Sequence, residues 1–369
     1  MISSQDDMVF GESPAPIVVM GSMNRDIRLQ MARLPVPGET VAGHGISSQA
    51  GGKGANQAVA AAMLGATVLM VGCVGDDSVG AFLTGKLAER GVDTSGVRVV
   101  ADEPSGTAVV MVNDSGENMI VVIPGANGRV GAPEVESVLG QVGRSRAIVL
   151  SQMEVPERSV LSLMHALETS RSVVRMLNVS PAAGVAAGML GGIDFVIVNE
   201  LEAAQLVASQ DAGSSQDAAA DGMHPGADGM HPGSGSTHAS GARPPGLALD
   251  ENALVSARRI IEAGVKNVVV TLGEHGAVLC NGHEEIRRRA PAITPVDTTG
   301  AGDQFLGMFA FAISRGLSNE VALGMAVDVA SVSTTRVGAQ DSFVSAGELS
   351  LLSQPASAAG REVGDRVAK

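Results

Sequence analysis

The sequence predicts an α/β fold with a largely parallel central sheet. Short apolar runs recur along the chain, most of them separated by segments of helix length. Hydrophobic residues make up 45% and charged residues 17% of the 369, so one large unit can bury a core. Right-handed crossovers in such a fold bring the strand C-terminal ends to one edge, where ligands bind.

The elements follow in order. Residues 1–16 are acidic, with neither a basic n-region nor an apolar h-region, and read as a disordered tail rather than a signal peptide. Ile17–Met20 is an apolar run ending at Gly21, which suits a central strand. Ala55–Leu64 reads as a helix and Thr67–Cys73 as a second buried strand. The uncharged stretch 55–75 is long enough to suggest a membrane span, but Gly65 divides it into helix-like and strand-like halves. Asp76 and Asp77 can cap a helix running to about Arg90, which Gly91 stops. Ser105–Asn113 and Glu117–Ile123, joined by Asp114-Ser115-Gly116, read as a hairpin. Ala147–Leu150, Val173–Leu177, Phe195–Val198 and Val268–Leu272 read as further short strands.

Residues 210–249 are different. They are rich in Gly, Ala, Ser, Pro and Asp and contain a tandem heptad that begins at Asp221 and again at Asp228. Such a composition cannot offset its ordering entropy, so a disordered insertion is expected. His224, His231 and His238 recur there, which reads as a repeat-expanded loop or as a weak metal binder. A second disordered tail is expected over 353–369. The chain between the tails, 17–352, is expected to be one domain.

Composition excludes some functions. A net charge of -14 disfavours nucleic acid and anionic membrane surfaces as partners. Trp and Tyr are absent, so base-stacking platforms are poorly supplied. The two cysteines, Cys73 and Cys280, sit far apart in apolar runs and read as core residues in a reducing cytoplasm.

Four polar clusters and two further segments carry chemistry. Asp297-Thr-Thr-Gly-Ala-Gly-Asp303 precedes the apolar segment Gln304–Ile313, which has helical spacing. The free N–H groups of Gly300, Ala301, Gly302 and Asp303 would then form an anion hole at a helix N-terminus. Transfer of a γ-phosphoryl group needs such donors, and a carboxylate beside them can take a proton from an attacking hydroxyl. Alternatively, Asp303 is a plain helix cap. Gly51-Gly-Lys-Gly-Ala-Asn56 is either a ligand-contacting loop, with Lys53 as cation and Asn56 as donor and acceptor, or a helix-opening turn. Its spacing is not that of a Walker A loop. Asn24 and Asp26 share one face of an extended segment and suit sugar hydroxyls, or a surface turn. Asn199 and Glu202, at a strand end, suit magnesium or a capped helix start. Thr271 to Gly276, including Gly273, is a glycine turn suited to nucleotide approach, and His275 within it reads as a surface turn residue. Glu154 is an isolated carboxylate at another strand end.

Taken in order, these motifs resemble the ribokinase-like (PfkB) carbohydrate kinase family from about Ile17 to Ser342. The most specific are GGKGANQAVAA at Gly51–Ala61, GDDSVG at Gly75–Gly80, NELEA at Asn199–Ala203, DTTGAGD at Asp297–Asp303 and TRVGAQDS at Thr335–Ser342. The resemblance implies a three-layer ribokinase-like fold with a small β-sheet lid, from about 28–48 and 98–123, that often makes a dimer interface. It implies ATP-dependent phosphorylation of a sugar, D-ribose foremost, at the 5-hydroxyl. Asp303 would be the base, and Gly300, Ala301 and Gly302 the anion hole. Asn24, Asp26, Gly52, Lys53, Asn56 and Glu154 would hold the sugar. Asn199, Thr271, Gly273, Gly276 and Gly302 would contact ATP, with Glu202 organising Mg2+ through water. A K+ activator would lie near Asp297, Thr299, Ser333, Arg336, Gly338 and Ser342, several of them acting through backbone carbonyls. Departures from the family pattern are Gln304 after the base, which would either crowd the helix or point outward, and Arg25 and Arg28 around the sugar motif. Another sugar or nucleoside kinase (of fructose, deoxyribose or adenosine) and a non-catalytic sugar-binding protein on the same scaffold are the competing expectations.

Overall fold

The computed structural model describes residues 14–143, 145–219 and 245–352. His224, His231 and His238 lie outside the described residues, as do 1–13 and 353–369.

The chain opens with β1 (Ile17–Met20), β2 (Asn24–Met31), β3 (Gly43–Gly51), α1 (Lys53–Met63), β4 (Val68–Gly75), α2 (Ser78–Glu89) and β5 (Asp93–Val100). The hairpin β6 (Gly106–Asn113) and β7 (Asn118–Ile123) leads to α3 (Ala132–Val142), β8 (Ala147–Gln152), α4 (Glu157–Ala166), β9 (Val173–Asn178) and β10 (Phe195–Asn199). Then come α5 (Glu200–Ala219), α6 (Pro245–Glu262), β11 (Asn267–Thr271), β12 (Ala277–Asn281), β13 (Glu285–Arg288), α7 (Ala301–Ser314), α8 (Asn319–Ser333) and α9 (Ala346–Leu352).

These form a nine-stranded sheet in the order β13-β12-β11-β10-β9-β8-β1-β4-β5 and a four-stranded sheet in the order β3-β2-β6-β7. The large sheet is parallel from β11 through β5, and β12 and β13 add an antiparallel edge. Its central strands are apolar on both faces because helices cover both. Ile17 and Val19 face α1, α2, α7 and α8, while Val18 and Met20 face α3, α4, α5 and α6. The expected three layers and smaller second sheet are therefore present.

Some boundaries differ from the sequence reading. Ala15 is buried and its N–H donates to Ser314 O, so order begins before the first strand. The helix expected to give way to an insertion at 210 continues to Ala219, and helix resumes at Pro245, because Ala, Gln and Asp tolerate a helix that composition alone does not demand. Residues 98–100 belong to β5 of the large sheet rather than to the small one. Arg98 is pinned there by Glu134, with Nε 2.5 Å from Oε1. The small sheet instead begins at Asn24, earlier than expected. Both cysteines are buried, and burial beside Glu134 pushes the Cys73 thiol up to about 12. No helix among the described residues is long and apolar enough to cross a membrane.

One contact sets the position of the site. The Ala-rich α1 lies directly against α7, because Gly307 removes the side chain between them. A Cβ at Gly307 would stand 2.4 Å from Ala60 Cβ and 2.9 Å from Ala61 N. The Gly307→Val variant should therefore lose about 1–3 kcal/mol of stability, read as a lower urea midpoint. Gly85→Ala, in open space on α2, should gain about 1 kcal/mol in the same titration.

Candidate active site

The strand ends and the first turns of α1 and α7 meet on one edge, as the topology requires. Gly300 begins α7 in the left-handed region (φ 77°), and a Cβ there would stand 3.1 Å from Ala339 Cα and from the Phe343 ring. The N–H of Ala301 turns back to Thr298 O at 3.2 Å, so it is not one of the free donors the sequence suggested. Gly302 and Asp303 then head the helix with N–H groups that have no intrahelical acceptor.

The Asp303 side chain lies under α1, only 9% exposed. Its Oδ2 accepts from Asn56 Nδ2 at 2.9 Å and its Oδ1 from Gln57 Nε2 at 3.0 Å. Burial pushes its carboxyl above the ordinary value, against the Lys53 charge and the two amide bonds, with Glu154 adding to the rise. Burial works against the Lys53 ammonium too. Asp303, Glu154 and Glu202 outweigh that and hold it above the usual lysine value.

Glu154 fastens the Gly-rich turn. One of its oxygens accepts from Ser22 Oγ at 2.6 Å and from Lys53 N at 3.0 Å. Gly52, at φ 90°, packs on the Met23–Asn24 backbone, where a Cβ would stand 2.8 Å from Asn24 N. Asn24 Oδ1 accepts from Asn127 Nδ2 at 2.8 Å. The Asp26 carboxylate lies across Gly51, so close that a Cβ there would overlap it. Burial, then the charges of Glu154 and Asp303, push the Asp26 carboxyl up to about 7.

Two cavities meet at Thr271 and Gly302. The smaller, about 170 Å³, is lined by Lys53, Asn199, Glu202 and Asp303 among others. The larger, about 560 Å³, runs from Gly273 and Gly276 past Ile293 and Phe305 to Val327 on α8. His275 is half-buried and lines it, rather than standing on the free surface. Asn199 and Glu202 cap each other: Glu202 N donates to Asn199 Oδ1 at 2.8 Å and Asn199 N to Glu202 Oε2 at 2.9 Å. Glu202 is thus both a helix cap and a cavity wall.

The residues expected around a monovalent cation divide. Asp297 Oδ1 accepts from Thr299 N and Oγ1, and its Oδ2 from Gly338 N at 3.0 Å. Those hydrogen bonds and the Arg28 charge more than offset burial and hold the Asp297 carboxyl below its usual range. The Ser333 and Ser342 hydroxyls donate to Ala330 O and Ala339 O, and Arg336 turns to Glu348. Of the two flagged arginines, Arg25 binds Ser48 Oγ at 2.7 Å, and Arg28 Nη1 lies 3.8 Å from Asp297 Oδ2. Gln304 neither crowds the helix nor points outward. It is fully buried, and its Oε1 accepts from Val344 N at 2.8 Å.

Sequence reasoning missed the supporting amides Gln57, Gln152, Asn127, Asn178 and Gln340. Gln57 and Gln340 stand inside quoted motifs, but only their long-range partners give them a role.

Asp303 is thus a buried carboxylate at a helix N-terminus, on the wall of the smaller, polar cavity and next to Gly302, which both cavities share. Residues 15–229 and 242–346 match the pfkB family carbohydrate kinases. The chain is 30% identical to ribokinase of Haemophilus influenzae, covering 89% of this chain and 94% of that one. It is 30% identical to deoxyribokinase of Salmonella typhi, covering 89% and 95%. It superposes on the structure of Arabidopsis thaliana ribokinase complexed with ribose and ATP with a TM-score of 0.74 at 30% identity, covering 92% and 99%. The chain belongs to the pfkB family and is a sugar or nucleoside kinase of that family.

The Asp26 shift makes stability depend on pH. Between about pH 4 and about pH 7 the unfolded chain has lost this proton and the folded chain still holds it, so stability falls as pH rises through that window. Asp26→Asn should remove about 2–4 kcal/mol of that decline, measured as urea midpoints at the two ends of the window.

Proposed function

We propose that the protein is an ATP-dependent ribokinase that phosphorylates the 5-hydroxyl of D-ribose. The observation that carries this reading is Asp303, desolvated and bonded to two amides on the wall of the smaller cavity, next to Gly302 where the two cavities join. The apolar larger cavity suits the nucleoside half of ATP, and the polar smaller one suits its phosphates. Asn24, Asp26, Lys53, Asn56 and Glu154 offer a neutral polyol both donors and acceptors. Ribose is favoured by the several relatives named ribokinase and by the superposed structure that holds ribose and ATP. Deoxyribose is the second reading, from the relatives named deoxyribokinase.

In the reaction, Asp303 takes the proton of the acceptor hydroxyl as its oxygen attacks the γ-phosphorus and ADP leaves in line. Each Asp303 oxygen accepts one amide N–H and keeps a lone pair for that proton. The N–H groups of Gly302 and Asp303 would face the charge spread over the transferring oxygens. Lys53 adds a fixed positive charge. Glu202 and Asn199 fit a water-mediated Mg2+ because their oxygens stand at the cavity wall. Asp297 would be the carboxylate nearest K+, its oxygens held in place by Thr299 and by the Gly338 N–H, with the Arg28 guanidinium 3.8 Å away. Magnesium held by Glu202 and Asn199 would supply counter-charge to the phosphates. We also assign the protein to the cytoplasm, which the two buried free thiols suit.

Sugar-dependent ADP release with Mg2+ and K+ present should be greatest with ribose among ribose, deoxyribose, fructose and adenosine. Asp303→Asn should keep sugar and ATP binding by calorimetry and lose at least about three orders of magnitude in kcat. Wild-type turnover in that variant would remove Asp303 as the base.

The small sheet ends in an exposed apolar edge strand, β7. Met119, Ile120, Val121, Val122 and Ile123, alternating between its two faces, are each about half exposed. We assign this edge strand to a homodimer interface. Ile120→Lys with Val122→Lys should turn a dimer into a monomer in sedimentation velocity. A wild-type chain that already sediments as a monomer would sink the assignment.

A further inference from the structure

We propose that Gln340 is a positioning residue for Asp303, acting through the side-chain amide of Asn56. This rests on the reading of Asp303 as the base.

An ionised carboxylate only accepts hydrogen bonds, so the Asn56 amide must turn its NH2 end toward Asp303. That leaves Asn56 Oδ1 buried and in need of a donor, since Asn56 is only 6% exposed. Gln340 Nε2 is that donor, at 3.0 Å. Gln340 is 7% exposed and lies in the short 3-10 turn Gln340–Ser342, far from α1 in sequence. Gln57 repeats the arrangement on the other oxygen. Its Nε2 donates to Asp303, and its Oε1 accepts from Gln152 Nε2 at 2.7 Å. The same Nε2 also reaches Asn178 Oδ1 at 3.2 Å. Two amide relays of the same polarity therefore end on Asp303, one on each oxygen. The stretch around Gln340 is tied to α7 as well as to α1, through Val344 N and Gln304 Oε1.

The relay opposes the burial of the carboxylate. The charged groups that face Asp303 are Lys53 on α1, Glu154 after β8 and Asp26 on β2. Without the Gln340 donor, Asn56 is no longer held with its NH2 end toward Asp303. The carboxylate then loses part of its stabilisation, and its proton binds more tightly.

The test is the pH dependence of kcat/KM for ADP release at saturating KCl, because Gln340 lies between Gly338 and Ser342. Gln340→Met keeps the volume and removes the donor. It should move the acid limb upward by about half to one pH unit and lower kcat about tenfold. In an Asn56→Leu background the same substitution should leave the limb where it is, because its effect passes through Asn56. An unmoved limb in the wild-type background overturns the proposal. So does an equal shift in both backgrounds. If Gln340→Met does not fold, the isosteric Gln340→Glu, which turns the donor into an acceptor, should move the limb at least as far, and an unmoved limb there is equally fatal. A wild-type enzyme without ADP release, or turnover that survives Asp303→Asn, would instead remove the kinase reading or the base, so the failures separate.

Discussion

A carboxylate has been taken out of water beneath a helix, and much of the site exists to hold it there charged. Desolvating such a group without compensation costs several kcal/mol, about as much as a domain's whole margin of stability. The compensation comes from α1. Its first turn carries Asn56 and Gln57, which reach Asp303 only because α1 and α7 approach closely at Ala60 and Gly307. Small side chains in the interface and amides at its end are one arrangement. A larger residue in the interface would push the amides away from the acid they serve.

The large sheet fixes where that pair of helices points. β1, β8, β9, β10 and β11 run parallel, so Ser22, Glu154, Asn178, Asn199 and Thr271 all emerge at one edge. The small sheet rises from the same edge, because β2 leaves β1 after only a short turn and brings Asn24 and Asp26 with it. Gly51 and Gly106 both pair with Asn24, and a Cβ would collide with the Asp26 side chain at Gly51 and with the Asn24 and Asn127 side chains at Gly106. The surroundings of Asn24 and Asp26 are thus shaped by glycines on neighbouring strands as much as by the polar groups.

Much of this was legible in the sequence. Apolar runs such as Ile17–Met20 mark central strands because both faces are buried, and no alternation is needed to find them. The glycine–aspartate segment at 297–303 marked the α7 N-terminus because a left-handed residue and a helix start leave few other readings. Less was legible where position depends on distant partners. Nothing near Gln340 or Gln152 in the chain says that each would donate to an amide on α1. Arg98 reads as part of a strand pair with the hairpin, yet its bond to Glu134 on α3 lies with the large sheet. Composition marked 210–249 as unlike the rest but could not say how far α5 would continue, since a helix end is set by capping and packing.

The electrostatics of the site bear on its chemistry. Glu154, Glu202 and Asp303 act on one lysine, Lys53, and Asp26 stands close to two of them, in a chain of net charge -14. A sugar acid or sugar phosphate placed among them would meet net repulsion, whereas a neutral polyol finds acceptors for its hydroxyls. The same excess of negative charge leaves too few protein cations for a triphosphate. On the reading proposed above, the α7 N-terminus and Lys53 would answer part of that charge, and cations held near Glu202 and Asp297 would answer the rest. An acidic kinase of this kind would then leave to metal ions what a basic phosphate-binding protein would build from arginines.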